Sequence, residues 1–193
     1  MKDRKPRRGL IFVVSGPSGS GKTTLVARLL QEAKLRRKLG KSISFTTRPK
    51  RSKERQGRDY IFITPDDFRR KLKAKKILEW TRFLGYDYAT PRDFAERQVK
   101  AGKSIILCLD RAGAKKIKTL YPRSTITIFI VPPSLEALRQ RIAGRCHKTK
   151  KEEIARRLRL ARREIAACRD YDFTVVNKNL HQAVKDLRDI ILS

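Results

Sequence analysis

Residues 16–23 read Gly-Pro-Ser-Gly-Ser-Gly-Lys-Thr and satisfy the pattern G-x-x-x-x-G-K-[ST]. Glycines let backbone N–H groups turn inward around a β-phosphate, and the helix that follows adds the positive end of its dipole. In such a loop Lys22 neutralises β/γ oxygens and the Thr23 hydroxyl takes a place on Mg²⁺. An apolar run precedes the loop and a helical pattern follows it, the context that separates a phosphate cradle from an ordinary glycine turn. The loop implies that a phosphate chain is held. It leaves open whether the phosphate goes to water, to a small molecule or nowhere.

A second chemical group closes the run "SIILCLD": Asp110 stands where a core strand would end. A carboxylate there could approach the metal beside the loop, or it could cap the next helix, and the spacing does not choose between these.

These groups need a frame. Apolar runs at residues 10–15, 104–109, 125–131 and 172–176 are apolar on successive residues, as strands covered on both faces should be. Helical patterns occupy 22–33, 113–120, 135–143 and 179–192. Another helix, 150–168, opens on a capping box, Thr149-x-x-Glu152, and places Ile154, Leu158, Ala161 and Ile165 on one apolar stripe. The alternation predicts an α/β fold: a parallel sheet flanked by helices.

The segment 42–99 differs, with short runs at 42–47 and 60–64, a basic helix opened by Thr64-Pro65, the stretch "ILEWTRFLGYDYAT" and a second helix from Pro91. It reads as a small mixed lobe set into the core. The expected organisation is a basic tail (1–9) and one domain (10–193). The core takes 10–41, 100–134 and 169–193, the lobe 42–99, and a helical lid 135–168.

Composition bounds the partners. The chain has 193 residues, with 49 Lys+Arg against 19 Asp+Glu, a net charge of +30. That excess attracts polyanions, so nonspecific nucleic-acid adhesion is expected. The basic residues look spread through helices rather than gathered beside exposed aromatics, so no stacking platform is evident. No apolar stretch approaches the roughly 20 residues a membrane span requires. The apolar run after the basic N-terminus is short and leads into the glycine loop, which reads as a first strand rather than a signal peptide. Three scattered cysteines (Cys108, Cys146, Cys168) suggest neither a disulfide framework nor a metal site, and a cytoplasmic setting is expected.

The stretch "SISFTTRPKRSKERQGRDYIFIT" resembles the guanylate kinase signature, approximately S-x-T-T-R-x-x-R-x-x-E-x-x-G-x-x-Y-x-F. It is filled by Ser44, Thr46, Thr47, Arg48, Arg51, Glu54, Gly57, Tyr60 and Phe62. Downstream, "LEWTRFLGYDYAT" is similar to the family's E-x-x-x-x-x-G-x-x-Y-G-[ST] element, and lid and "DFTVVNKNL" elements follow in family order. The resemblance spans roughly residues 10–192.

It implies a P-loop core with a GMP-binding lobe and a lid, and transfer of the γ-phosphate of ATP to GMP or dGMP with Mg²⁺ as cofactor. It implies an ATP side made of Gly16, Pro17, Ser18, Gly19, Ser20, Gly21, Lys22, Thr23, Thr24, Arg141 and Asn177. On the GMP side stand Ser44, Arg48, Arg51, Tyr60, Glu79, Tyr88, Thr90 and Asp110. By the same resemblance Glu79 takes the guanine N–H donors, Thr90 takes O6 and Asp110 helps hold the amino group. Lys22, Arg51, Arg145 and Arg157 carry transfer, and the metal rests on Thr23, with Asp110 acting through water. The chain would act as a monomer or a homodimer.

The residue types fit that reading on their own chemistry. Two arginines three apart can grip one phosphate dianion, with the Ser44, Tyr60 and Tyr88 hydroxyls completing its hydrogen bonds. Blander alternatives stand beside them: surface arginines, a Glu79–Arg82 pair, a Glu153–Arg157 helix pair and an Asn177 helix cap. Arg157 is favoured over Arg156 as the lid arginine. The other function classes to weigh are a binding module without transfer activity and a nucleic-acid-associated P-loop ATPase.

The chain also departs from the family pattern. Where D-x-D-x-x-G is common, it has Cys108-Leu109-Asp110-Arg111-Ala112-Gly113. Cys146 replaces the last glycine of the lid motif, Lys178 stands where Asp is common, and the bend at Ser52-Lys53-Glu54 lacks its glycine. A small core residue is the favoured reading of Cys108.

Overall fold

A computed structural model describes residues 9–144 and 151–193. In chain order the first elements are β1 (Ile11–Ser15), α1 (Lys22–Leu29), α2 (Ala33–Lys38), β2 (Leu39–Lys41), β3 (Phe45–Thr46) and β4 (Ile61–Phe62). Next come α3 (Pro65–Lys73), β5 (Ile77–Phe83), β6 (Tyr86–Pro91), α4 (Arg92–Lys100), β7 (Ser104–Cys108) and α5 (Arg111–Leu120). The chain continues through β8 (Thr125–Val131), α6 (Leu135–Ala143), α7 (Lys151–Ala166), a 3-10 turn (Cys168–Asp170), β9 (Phe173–Val176) and α8 (Leu180–Leu192).

All five residues of β1 are buried, so this strand needs neighbours on both edges and cover on both faces. It pairs in parallel with β7 on one side and β8 on the other, in the order β2-β7-β1-β8-β9. Alternation along the strand then divides the core. Phe12 and Val14 pack with Leu25, Val26 and Leu29 of α1 and Ala183 and Leu187 of α8. Ile11 and Val13 pack on the opposite face with Val99 of α4 and Ala114 and Ile117 of α5. Burial of such side chains stabilises by roughly 1.5–3 kcal/mol each relative to exposure.

A second sheet has the order β4-β3-β6-β5. Its helix-side cluster holds Phe45, Ile77 and Ala89 against Phe68 of α3. Ile77 and Trp80 have opposite parity yet both serve the Phe68 side, because the register slips between Ile77 and Glu79. β5 and β6 form a hairpin through Leu84 and Gly85, both at positive φ (50° and 85°), the backbone a two-residue turn between twisted strands demands.

The expected α/β frame is present, with adjustments. The helix foreseen over 22–33 stops at Leu29, and i→i−3 bonds from Gln31 and Glu32 tighten the turn before α2 begins. After that break Leu35 and Leu39 are buried in the cluster over β1, and residues 39–41, not foreseen as a strand, become edge strand β2. The Thr64 hydroxyl caps α3 by accepting from the Asp67 N–H at 3.1 Å. Ile154, Leu158 and Ala161 of α7 pack on Leu138 and Ile142 of α6 as the stripe predicts, while Ile165 lies half-buried beyond that cluster. The Thr149 capping box lies outside the described residues.

Candidate active site

β1 and β7 run in parallel and stop together, so both deliver their next residues to the carboxyl edge of the sheet. The fully buried Ser15 hydroxyl donates to the Leu109 carbonyl at 2.7 Å, tying the start of the glycine loop to the segment that carries Asp110. Gly21 ends the loop at φ 97°, and a Cβ there would sit 2.2 Å from Asn177 Nδ2, so only glycine fits. Lys22 folds across the loop, its ammonium donating to the carbonyls of Gly16 and, at 3.0 Å, Pro17.

A cleft of about 1040 Å³ opens from this loop. Gly16, Ser18, Gly19, Gly21, Lys22 and Thr23 line one end. Ser44, Arg48, Arg51, Tyr60, Tyr88 and Glu79 line the other, with Asp110 between them. Pro17 and Ser20 are buried parts of the loop, and Thr24 is exposed on the first turn of α1 without lining the cleft.

Arg141 and Asn177 are brought to the back of the loop rather than to its wall. Asn177, 5% exposed, donates from Nδ2 to the Ser20 carbonyl at 2.7 Å, and Arg141 Nη2 donates to the Asn177 carbonyl at 3.2 Å. The helix-cap alternative for Asn177 is overturned, because Asn179 caps α8 by accepting from the Gln182 N–H. Asn177 thus buttresses the loop from behind.

At the far end, Glu54 supplies an order that sequence reasoning passed over. Its carboxylate accepts from Arg48 Nη2 at 2.7 Å and from the Arg51 backbone N–H at 2.9 Å, so one side chain holds both arginine segments. The pair with Arg48 is largely buried, at 10% and 17% side-chain exposure. The Arg48 guanidinium also lies 5.6 Å from the centre of the Tyr60 ring. Burial, with Tyr88 and Cys108 adding to it, pushes the Tyr60 hydroxyl up to about 12, so it stays protonated and able to donate. Arg51 is exposed and lines the cleft, while the surface-charge alternative does not fit the largely buried Arg48.

Glu79 and Thr90 pair across the β5–β6 hairpin, both buried, with the Thr90 hydroxyl donating to Glu79 Oε1 at 2.5 Å. The alternative partner Arg82 instead meets Asp87 at 3.2 Å. Burial raises the Glu79 carboxyl to about 7, opposed by the Thr90 hydrogen bond and reinforced by the charge of Asp110. Gly113 lets α5 approach this carboxylate, since a Cβ there would stand 2.7 Å from Glu79 Oε2. Asp110 resolves as a helix cap, accepting from the Gly113 N–H at 2.8 Å, while also lining the cleft.

α7 closes the third side. Arg157, with 12% side-chain exposure, pairs with Glu153 and donates from Nη1 to the Ser18 hydroxyl at 3.4 Å, whereas Arg156 is exposed. The local ion pair and the reach to the loop therefore coexist in one arginine. Glu164 lines the cleft from the same helix, its carboxyl raised by burial, lowered in part by Lys22 and raised further by Asp110. Burial also pushes the Cys108 thiol up, away from the thiolate a nucleophile requires. Arg145 and Cys146 lie outside the described residues.

The donor set fits anionic oxygens and a magnesium ion carried with them. Arg157 Nε and Arg141 Nη1 are buried without an acceptor among the described residues. Among the described residues no three His, Cys, Asp or Glu side chains form a metal cluster. Mg²⁺ is usually held by one or two protein groups plus phosphates and waters, which matches Thr23 and Asp110 at the cleft.

A glycine loop at one end of a cleft and paired guanidinium groups at the other define a class: a P-loop kinase with two nucleotide-sized stations. The guanylate kinase family model matches residues 8–193. A guanylate kinase of Hyphomonas neptunium is 42% identical over 194 residues, covering 99% of this chain and 86% of that protein. One of Symbiobacterium thermophilum is 43% identical over 189 residues, covering 98% and 87%. The crystal structure of guanylate kinase from Anaplasma phagocytophilum superposes with a TM-score of 0.79 at 31% identity, over 96% of this chain and 86% of that one. The chain belongs to the guanylate kinase family.

Glu79 has a measurable consequence for stability. A carboxyl raised from 4.5 to about 7 on folding contributes stability that is fully present below pH 4.5 and is lost as pH rises to 7. The loss at pH 8 is roughly 3 kcal/mol. Glu79→Gln keeps an acceptor for Thr90 without the charge. Urea unfolding should show it more stable than wild type by about that amount at pH 8, and little different near pH 4.5. An equal difference at both pH values would contradict the assignment.

Proposed function

We propose that the chain transfers the γ-phosphate of ATP to GMP or dGMP, and that the buried Glu79–Thr90 pair, in the same cleft as the glycine loop, selects the base. Guanine presents N1–H and N2–H₂ donors to the carboxylate and an O6 acceptor to the hydroxyl. Thr90 has one proton, which it donates to Glu79 in the unliganded chain. The guanine donors replace it at the carboxylate and free it to turn to O6. Adenine would set an acceptor against the same carboxylate, leaving buried polar groups unpaired, a strong discriminator.

The acceptor phosphate lies under Arg48 and Arg51, with Ser44, Tyr60 and Tyr88 as hydroxyl donors. Lys22 and the loop amides hold the donor β/γ-phosphates, and Arg141 and Asn177 support that loop. Transfer spreads charge over equatorial oxygens and asks little covalent chemistry of the protein. Cations aimed at that charge therefore supply the rate: Lys22, Arg51, Arg157 and, from the family pattern, Arg145. Mg²⁺, held by Thr23 with Asp110 acting through water, would neutralise the β and γ oxygens. In the division we favour, residues 42–99 are the acceptor lobe and 135–168 a lid that excludes water.

One chain carries both stations, so a monomer or a homodimer would serve, and we place the activity in the cytoplasm with its substrates. A transfer-dead binding module and a nucleic-acid-associated ATPase each leave one end of the cleft without a purpose.

Coupled ADP formation should appear on adding GMP or dGMP to chain and MgATP, and not with AMP or CMP. No response to GMP would end this reading. Arg157→Ala should lower kcat by about 10³ or more with unchanged thermal unfolding. A severalfold change would reduce Arg157 to a helix-surface ion pair. Because guanine needs the Glu79 carboxylate, KM for GMP should rise about fivefold from pH 8 to 6.3, above the phosphate's own second pKa near 6. KM for ATP should stay level, and a flat GMP profile would contradict the base contact.

A further inference from the structure

The second sheet has an outer face. Alternation along β5 sends Glu79, Thr81 and Phe83 to the cleft, and Trp80 and Arg82 to the other side. There a groove of about 360 Å³ lies between α3 and the β5–β6 hairpin, with Phe68, Arg69, Leu72, Trp80, Arg82 and Asp87 in its wall. Trp80 is the chain's single tryptophan and is 47% exposed. Phe68 holds it edge-on, with ring centres 5.8 Å apart.

Cations crowd the same lobe. Arg69, Arg70, Lys71, Lys73, Lys75 and Lys76 fall within eight residues. Asp66 and Asp67 pair with the first two, Asp93 with Lys76 and Asp87 with Arg82. Lys73 and Lys75 are exposed. The sequence already gathers these charges, but it does not show where they stand relative to Trp80. Phe68 of α3 packs edge-on to Trp80, so Arg69 and Arg82 stand in the groove wall beside the indole, with Lys73 and Lys75 further along the segment.

We propose that this groove docks single-stranded nucleic acid, one base stacking on Trp80 while the α3 cations follow the backbone phosphates. An exposed indole with guanidinium groups in the same groove wall and ammonium groups on the adjoining segment is a combination that binds bases without regard to sequence. The net charge of +30 supplies the long-range attraction. The groove lies on the face opposite Glu79, so a docked strand leaves the kinase cleft open.

Trp80 is its own reporter. Titrating the full chain with a short oligouridylate at low salt should quench its fluorescence saturably, less so as salt rises. Measured by anisotropy of labelled oligouridylate, Trp80→Ala should weaken binding about tenfold or more, with Trp80→Phe retaining part of it. Arg82→Gln should also weaken it, and GMP-dependent ADP formation should be unchanged in all three. If Trp80→Ala loses that activity through misfolding, the Phe and Gln variants carry the test. Wild-type affinity in the variants would overturn the proposal. So would equal quenching by inorganic polyphosphate, a response to an acidic peptide but not to the oligonucleotide, or quenching by self-association.

Discussion

β1 is covered on both faces, so its chain can leave the sheet only at its carboxyl end, and there the Ser15 hydroxyl fastens it to the Leu109 carbonyl. That bond sets the glycine loop and Asp110 side by side. Asn177, arriving at the end of β9, then fixes the loop's far side through Ser20. Three parallel strands thus hold one loop, and the loop's position decides where the phosphates of a donor would lie. Cations aimed from α7 and from the second sheet are useful only because that reference point does not move.

The chain is strongly basic, yet its cleft gathers carboxylates with separate tasks. Glu54 orders Arg48 and Arg51, and Glu153 steadies Arg157. Asp110 caps α5. Among the described residues Glu79 is buried without a paired cation, so its carboxyl rises, as burial also raises that of Glu164, while Glu54, beside Arg48, falls. A carboxylate held by one hydroxyl and no cation suits a ligand bringing two N–H donors.

Three departures from the family pattern within the described residues have a structural setting. Cys108 packs partly against the core below the loop, and its thiol is driven toward the neutral form. Ala112 sits exposed in the first turn of α5, while Gly113 keeps the close approach to Glu79. Lys178 follows Asn177, whose amide serves the loop, and the cap of α8 falls to Asn179 instead.

Much of this was legible in the residues themselves. Fully apolar runs name buried strands because both faces must be covered, and β8 and α6 match their expected limits at 125–131 and 135–143. The glycine-lysine loop and the arginine spacing declared their chemistry because both act over a few consecutive residues. What lay beyond reach depends on contacts between distant segments. Leu84-Gly85 carries no common hairpin signal, and β2 is a strand only because β7 offers it an edge. Glu54 as a clamp, Asn177 as a buttress, and a tryptophan sharing a groove with Arg69 and Arg82 are decided by tertiary packing. Sequence spacing states which groups share an element. Which groups share a cleft follows from how those elements bury their apolar faces against one another.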